Sequence, residues 1–231
     1  MIKAVFFDVD GTLVDHKGAQ YYGCRGLYNY LGLPGKVDFQ AFLSKWDELT
    51  VYHYDSYVRR ECSYTEQRRR RIIDLFAAFQ LPLASEKSLE IYDIYLRYFE
   101  DGWTLFPDVL PTLDMLGNRL LWVITNGDRQ QQVLKLKKTG ILPRFQGVTA
   151  GGDYDFPKPA TGMFELVCSQ NNLAYEECVY VGEDYRMDML PCKKLGIRGV
   201  LINRKKKKIT DTDIIILDSF EQLPQVIDNM D

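Results

Sequence analysis

The sequence predicts an α/β protein in which a parallel β-sheet is covered by helices and a helical block is inserted near the start of the chain. From Arg119 onward, short β-branched runs alternate with helical stretches, the pattern of strands buried on both faces. The first apolar run, residues 2–7, has the same buried-strand composition but stands far from the others. Between them, over residues 17–103, apolar residues recur at helical spacing and no comparable strand is found.

Taken in order, the first strand ends at Asp8, Asp10, Gly11 and Thr12. The inserted block contains three helical stretches, DFQAFLSKWDEL, TEQRRRRIIDLFAAF and SEKSLEIYDIYLRYF. Gly18, Gly23 and Gly26 on one side and Gly102 and Pro107 on the other suit a pair of hinge connections. Strands follow at LLWVIT, ending at Thr125, at CVYVG, ending at Gly182, at GVLI, ending at Ile202, and at DIIIL, ending at Leu217. A helix is expected from about Asp128 and another after Gly182. The expected division is a core of residues 1–16 and 104–231 and a helical domain of residues 17–103.

At 231 residues and 46% hydrophobic content, the chain can bury a full core. A net charge of -3 and a pI near 5.5 give no global attraction to nucleic acid or an anionic membrane. No apolar stretch approaches a membrane span and the N-terminus lacks the order of a signal peptide, so a cytoplasmic location is expected. The five cysteines are scattered without a C-x-x-C pair, as expected of reduced buried thiols. His16 and His53 are the only imidazoles, and transition-metal chemistry is not expected.

Residues two apart on an extended chain point to one side, so Asp8 and Asp10, with α-carbons ~7 Å apart, can face one small ligand. One can attack while the other moves a proton. A calcium loop would need further alternating oxygen ligands, which Leu13 and Val14 do not supply. Two acids repel a phosphate dianion, so a cation and hydrogen-bond donors are needed elsewhere. Thr125-Asn126-Gly127-Asp128 places a hydroxyl and backbone N–H groups where a strand turns into a helix, a favourable anion site. Asn126 and Asp128 also suit helix capping. Lys158, fixed before Pro159, can aim an ammonium at a carboxylate and a phosphate, although a lysine is commonly a surface residue. Glu183, Asp184 and Asp188 cluster at another strand end. They suit Mg²⁺, which takes one or two protein carboxylates, and equally suit the N-terminal end of a helix.

These four stretches in this order resemble the haloacid dehalogenase-like superfamily of phosphohydrolases, of the type with a helical cap. The motifs are Asp8-x-Asp10-Gly11-Thr12, Thr125-Asn126-Gly127, Lys158-Pro159 and Gly182-Glu183-x-x-x-x-Asp188. The resemblance implies a doubly wound, Rossmann-like core with the motifs at its topological switch point, and a cap formed by residues 17–103. It implies Asp8 as nucleophile, Asp10 as general acid/base, and Thr125 and Lys158 orienting the phosphoryl group with Asn126 and Gly127 beside it. Mg²⁺ would be held by Asp8, Asp10 through its backbone carbonyl, and Glu183 or Asp184, with Asp188 in support. The fourth motif usually begins Gly-Asp, and Glu183 departs from it. The run from Thr125 to Gln130 is similar to members that dephosphorylate nucleotides or sialic acid phosphates.

The expected function is Mg²⁺-dependent hydrolysis of a small phosphate ester, a nucleoside monophosphate or sugar phosphate, by a monomer or homodimer. A phosphomutase, or a catalytically weak binding or regulatory relative, is the alternative; Asp10 disfavours a dehalogenase. Eleven of the fifteen tyrosines lie between Tyr21 and Tyr98, and most are expected to fill or cover the helical domain. The basic runs Arg68 to Arg71 and Arg204 to Lys208 are expected to be solvated surface. Trp103, Trp122, Met115 and Met163 are expected to be packing residues.

Overall fold

The computed structural model describes residues 1–209 and 213–230; positions 210–212 and 231 of the expected core lie outside the described residues. The chain divides into two compact units, Met1–His16 with Thr104–Asp231, and Lys17–Trp103.

The first unit is built on a six-stranded sheet of β1 (Ala4–Phe7), β2 (Leu120–Thr125), β3 (Gly147–Ala150), β4 (Cys178–Gly182), β5 (Arg198–Ile202) and β6 (Ile215–Leu217). Their order is β3-β2-β1-β4-β5-β6 and every pair is parallel. This is the doubly wound Rossmann-like order, in which sequence order reverses beside β1 and opens a crevice at the carboxyl ends of the strands. Every residue of β1 is fully buried. On one face Phe6 packs with Ile124, Phe164 and Tyr180, while on the other Phe7 meets the rings of Phe145 and Phe220 at 6.0 and 6.1 Å. Burial on both faces explains why these strands read as continuous apolar runs. The short β3 was not expected: it has only four residues and begins at Gly147, where a Cβ would stand 2.2 Å from the Trp122 ring.

The helices in chain order are α1 (His16–Tyr30), α2 (Phe39–Val58), α3 (Tyr64–Ala78), α4 (Ser88–Asp101), α5 (Val109–Met115), α6 (Arg129–Lys138), α7 (Gly162–Gln170), α8 (Leu190–Leu195) and α9 (Leu223–Asp228). None is long and apolar enough to cross a membrane.

In the second unit, α2 and α3 start on side-chain caps, Asp38 accepting from the Ala41 N–H and Ser63 from the Glu66 N–H. Trp46 sits fully buried with the rings of Tyr95 and Tyr92 at 4.1 and 6.2 Å. The segment with Gly23 and Gly26 is helix, not hinge. A Cβ on these residues would come within 2.6 Å of Tyr95 and 2.1 Å of Tyr98, so the glycines let α1 approach the aromatic face of α4. The tyrosines divide: Tyr28, Tyr92 and Tyr95 are buried, whereas Tyr21, Tyr22, Tyr30, Tyr52 and Tyr98 are exposed.

Two basic runs hold residues that are not solvated. Arg71 is buried, donates to Gln67 at 2.6 Å and lies over the rings of Trp46 and Tyr92. Arg204 donates to both oxygens of Asp108 at 2.7 and 2.9 Å and stacks 4.0 Å over Phe106. Asp108 also accepts from the Phe220 N–H at 2.9 Å. Burial raises its carboxyl, but Arg204 and the Phe220 N–H outweigh this and hold it below the usual carboxylate range. We expect Arg204→Met to lower unfolding free energy by about 2 kcal/mol at neutral pH, less than the ~3–5 kcal/mol of a fully buried pair because the guanidinium is partly exposed. A carboxyl depressed on folding stabilises above its unfolded value, so the difference shrinks as pH falls below ~3.9. Urea melts at two pH values check both. Met115, expected to pack, is 57% exposed on the outer side of a short helix.

Candidate active site

Because the strands are parallel, the residues that follow β1, β2 and β4 emerge on one edge of the sheet. Asp8 follows β1, and its N–H continues the ladder by donating to the Val181 carbonyl at 3.0 Å. Its Oδ1 accepts from the Lys158 ammonium at 2.9 Å, and its Oδ2 accepts from the Thr12 hydroxyl at 3.3 Å. Lys158 is 150 residues away in sequence yet almost fully buried here.

The three ammonium protons of Lys158 each have an acceptor: Asp8 Oδ1, Asp188 Oδ1 at 2.7 Å and Tyr180 Oη at 2.8 Å. Asp188 Oδ2 accepts from the Asp184 N–H at 3.0 Å, and the Tyr180 hydroxyl lies 3.0 Å from the Ile124 carbonyl. The backbone of Lys158 is held by Asn126, whose Oδ1 accepts from the Lys158 N–H at 2.7 Å and whose Nδ2 donates to the Lys158 carbonyl at 2.8 Å. Asn126, expected beside the phosphate, thus has its side chain committed to placing Lys158. Gly182 makes room for the cluster, since a Cβ there would lie 2.3 Å from Asp188 Oδ2.

The charges follow from burial and pairing. Burial raises the Asp8 carboxyl above its ordinary value; Lys158 opposes this, and Asp188 and Asp10 add to it. Burial works against the charged form of Lys158, but Asp188 and Asp8 outweigh it and raise its pKa. The ammonium therefore stays charged between two acids.

Asp10 lies in a different setting. Its Oδ1 accepts from Lys135 Nζ at 2.5 Å and is 3.1 Å from His16 Nδ1, and its Oδ2 accepts from Gln132 Nε2 at 2.7 Å. Burial alone would raise its carboxyl, yet Lys135 and then His16 drive it far below the usual range. Gln132, Lys135 and Tyr180 carry no signal in the sequence that would place them in the site. The first two belong to a helix whose residues are mostly polar, and Tyr180 sits among apolar strand residues.

Thr125 closes β2 and is buried, paired in register with Ala150. Gly127 follows, packed so closely on Gln132 that a Cβ would come within 2.2 Å of Nε2. Asp128 caps α6 by accepting from the Gln131 N–H at 3.0 Å.

Of the two late acids, Asp184 uses its side chain to cap the following turn, accepting from the Met187 N–H at 2.8 Å. Glu183 reaches the other way. A Cβ on Gly11 would stand 2.4 Å from its carboxyl carbon, so its carboxylate rests on the backbone beside Asp10. Desolvation of its carboxylate against the backbone at Gly11 raises the Glu183 carboxyl, which Lys205 and Lys207 counteract. Among the described residues no group of three or more His, Cys, Asp or Glu is assembled as a metal cage. The candidate donors are hard oxygens, and Gly11, by lacking a side chain, lets the Glu183 carboxylate lie against the backbone beside Asp10. This fits Mg²⁺, which needs few carboxylates and keeps water and phosphate oxygens as its remaining ligands.

A doubly wound sheet with two carboxylates at its central strand end and a buried lysine beside the first defines a hydrolase site of the haloacid dehalogenase type. The family model for haloacid dehalogenase-like hydrolases matches residues 2–196, and the chain belongs to that family. Its relatives include N-acylneuraminate-9-phosphatase of Homo sapiens, 25% identical over 100% of this chain and 95% of that protein. Glyceraldehyde 3-phosphate phosphatase of Methanothermobacter thermautotrophicus is 26% identical over 98% of this chain and 100% of that protein. Among solved structures, the HAD-hydrolase YfnB of Bacillus subtilis, bound to magnesium, superposes with a TM-score of 0.86 at 18% identity, covering 98% of this chain and 99% of that one. The chain is thus an enzyme whose relatives along its whole length are named phosphatases.

Proposed function

We propose that the protein is a Mg²⁺-dependent phosphomonoesterase acting on a small phosphorylated metabolite, a sugar phosphate or nucleoside monophosphate. The observation that carries this is the placement of Asp8: one oxygen is tied to a buried lysine, while the other carries only a long hydroxyl contact. A carboxylate oriented in this way can attack in line.

In the first step Asp8 Oδ2 forms a bond to phosphorus as the ester P–O bond breaks, and Asp10, ionised in the resting site, relays a proton brought by the monoanionic ester to the departing alkoxide. In the second, Asp10 takes a proton from water, whose oxygen bonds to phosphorus, and the aspartyl P–O bond breaks to release phosphate and restore Asp8. Thr125 and the N–H groups after it would hold the phosphoryl oxygens, and Lys158 keeps Asp8 oriented and partly neutralised. Bound at Asp8, the Asp10 carbonyl and Glu183, Mg²⁺ would supply positive charge against that developing on the phosphoryl oxygens. Residues 17–103 serve as the cap that selects the substrate, and a cytoplasmic site of action suits the free thiols Cys24, Cys62, Cys168, Cys178 and Cys192.

Phosphate release from a panel of phosphorylated metabolites tests the proposal, and an isomerised sugar phosphate in place of free phosphate would identify a mutase. Glu183 and Asp184 separate by metal affinity. Glu183→Ala is expected to weaken Mg²⁺ activation by about tenfold or more, within the range seen when a metal's surroundings are altered. Asp184→Ala should leave that activation constant within about twofold, since in the structure its side chain caps a turn. Beryllium fluoride with Mg²⁺, an aspartyl-phosphate mimic, should raise the melting temperature of the wild type and not of Glu183→Ala.

A further inference from the structure

Helix α6 carries three lysines in its last turn, yet only Lys135 is buried, 1% exposed, while Lys137 and Lys138 face solvent. Gln132, one turn earlier on the same face, is likewise 1% exposed. Composition gives no reason to bury a lysine and a glutamine on so polar a helix, and burial of both is costly unless they are bonded. Both are bonded to Asp10, one to each carboxylate oxygen. They also touch each other, Lys135 Nζ donating to Gln132 Oε1 at 3.3 Å. Gly127 is the complement of this arrangement, because any side chain there would meet the Gln132 amide.

Resting on the phosphatase reading above, we propose that Gln132 and Lys135 are positioning residues that clamp the Asp10 carboxylate for proton transfer to the leaving group. A carboxylate bonded at both oxygens cannot rotate about its last single bond, which holds its plane fixed as the reaction proceeds. The two oxygens are unequal. Oδ1 faces both Lys135 and His16, while Oδ2 accepts from Gln132 alone among the described residues. With two lone pairs on each oxygen, Oδ2 retains one, and it is the atom through which the proton passes.

The test uses aryl phosphates of similar size with leaving groups of decreasing acidity: 4-nitrophenyl, phenyl and 4-methoxyphenyl phosphate. A nitrophenolate departs without help, whereas the others depend on the general acid. For Lys135→Met and Gln132→Met, kcat/KM should fall about tenfold further for phenyl than for 4-nitrophenyl phosphate, a fraction of the ~10²–10⁴-fold that proton transfer provides. Asp10→Asn should show the same trend more steeply. A loss in both variants that is equal across the series, or no loss in either, overturns the clamp. If Lys135→Met does not fold by circular dichroism, Gln132→Met, which adds no unpaired charge, decides alone. Absence of wild-type turnover on every ester would instead overturn the phosphatase reading itself.

Discussion

Asp8→Asn is expected to reduce phosphate release by about 10³-fold or more, as when a nucleophile is removed from other enzymes with covalent intermediates. Folding should not suffer. Asparagine keeps the shape of the side chain, and its carbonyl oxygen can still accept from Lys158, 2.9 Å from Asp8 in the wild type. Its amide can turn to the Thr12 hydroxyl, which accepts as readily as it donates. The change also removes one negative charge from a buried group repelled by Asp188 and Asp10. The melting temperature should therefore hold or rise, which separates lost chemistry from lost structure. Slow deamidation would regenerate aspartate, so turnover is measured on fresh protein with mass analysis of the Asp8 peptide. Activity near the wild-type level in protein shown to carry asparagine would remove Asp8 from the mechanism.

Lys158→Met should have the opposite profile, losing stability along with activity. The ammonium donates to Asp8, Asp188 and Tyr180, all buried. Methionine fills much of the volume but leaves two carboxylates facing each other without a cation. Breaking a buried pair from one side costs ~3–5 kcal/mol, because the remaining charge is stranded. The urea midpoint should shift accordingly, and phosphate release should fall with it. Adding Asp188→Asn to Lys158→Met should recover part of the stability and none of the activity, a non-additive result expected of groups in one network. Lys158→Arg should not restore function: a planar guanidinium cannot direct three donors at acceptors arranged around a single nitrogen. Simple additivity of Lys158→Met and Asp188→Asn in the melts would show that the cluster is not the unit described.

The strands at the heart of the sheet were legible because burial on both faces demands continuous apolar runs, as in residues 4–7 and 178–182. The helix α1 was not, because Gly23 and Gly26 read locally as breaks; only their contact with Tyr95 and Tyr98 explains them. Arg71 and Arg204 looked like members of solvated runs, and neighbours distant in sequence hold them, Trp46 and Tyr92 against Arg71 and Asp108 against Arg204.

The same division holds in the site. The amino-acid order alone singled out as candidates Asp8, Asp10, Thr125 and the Glu183 to Asp188 cluster, which follow apolar strand-like runs, and Lys158, whose backbone Pro159 restricts. Folding decided what each of them touches: Asn126 holds the Lys158 backbone, Asp184 caps a turn, and Gln132 and Lys135 grip Asp10 from more than 120 residues away. A local pattern encodes what a side chain can do, whereas its partners are set by which strands become neighbours in the sheet. That choice is made by packing across the whole core, and no short stretch of sequence contains it.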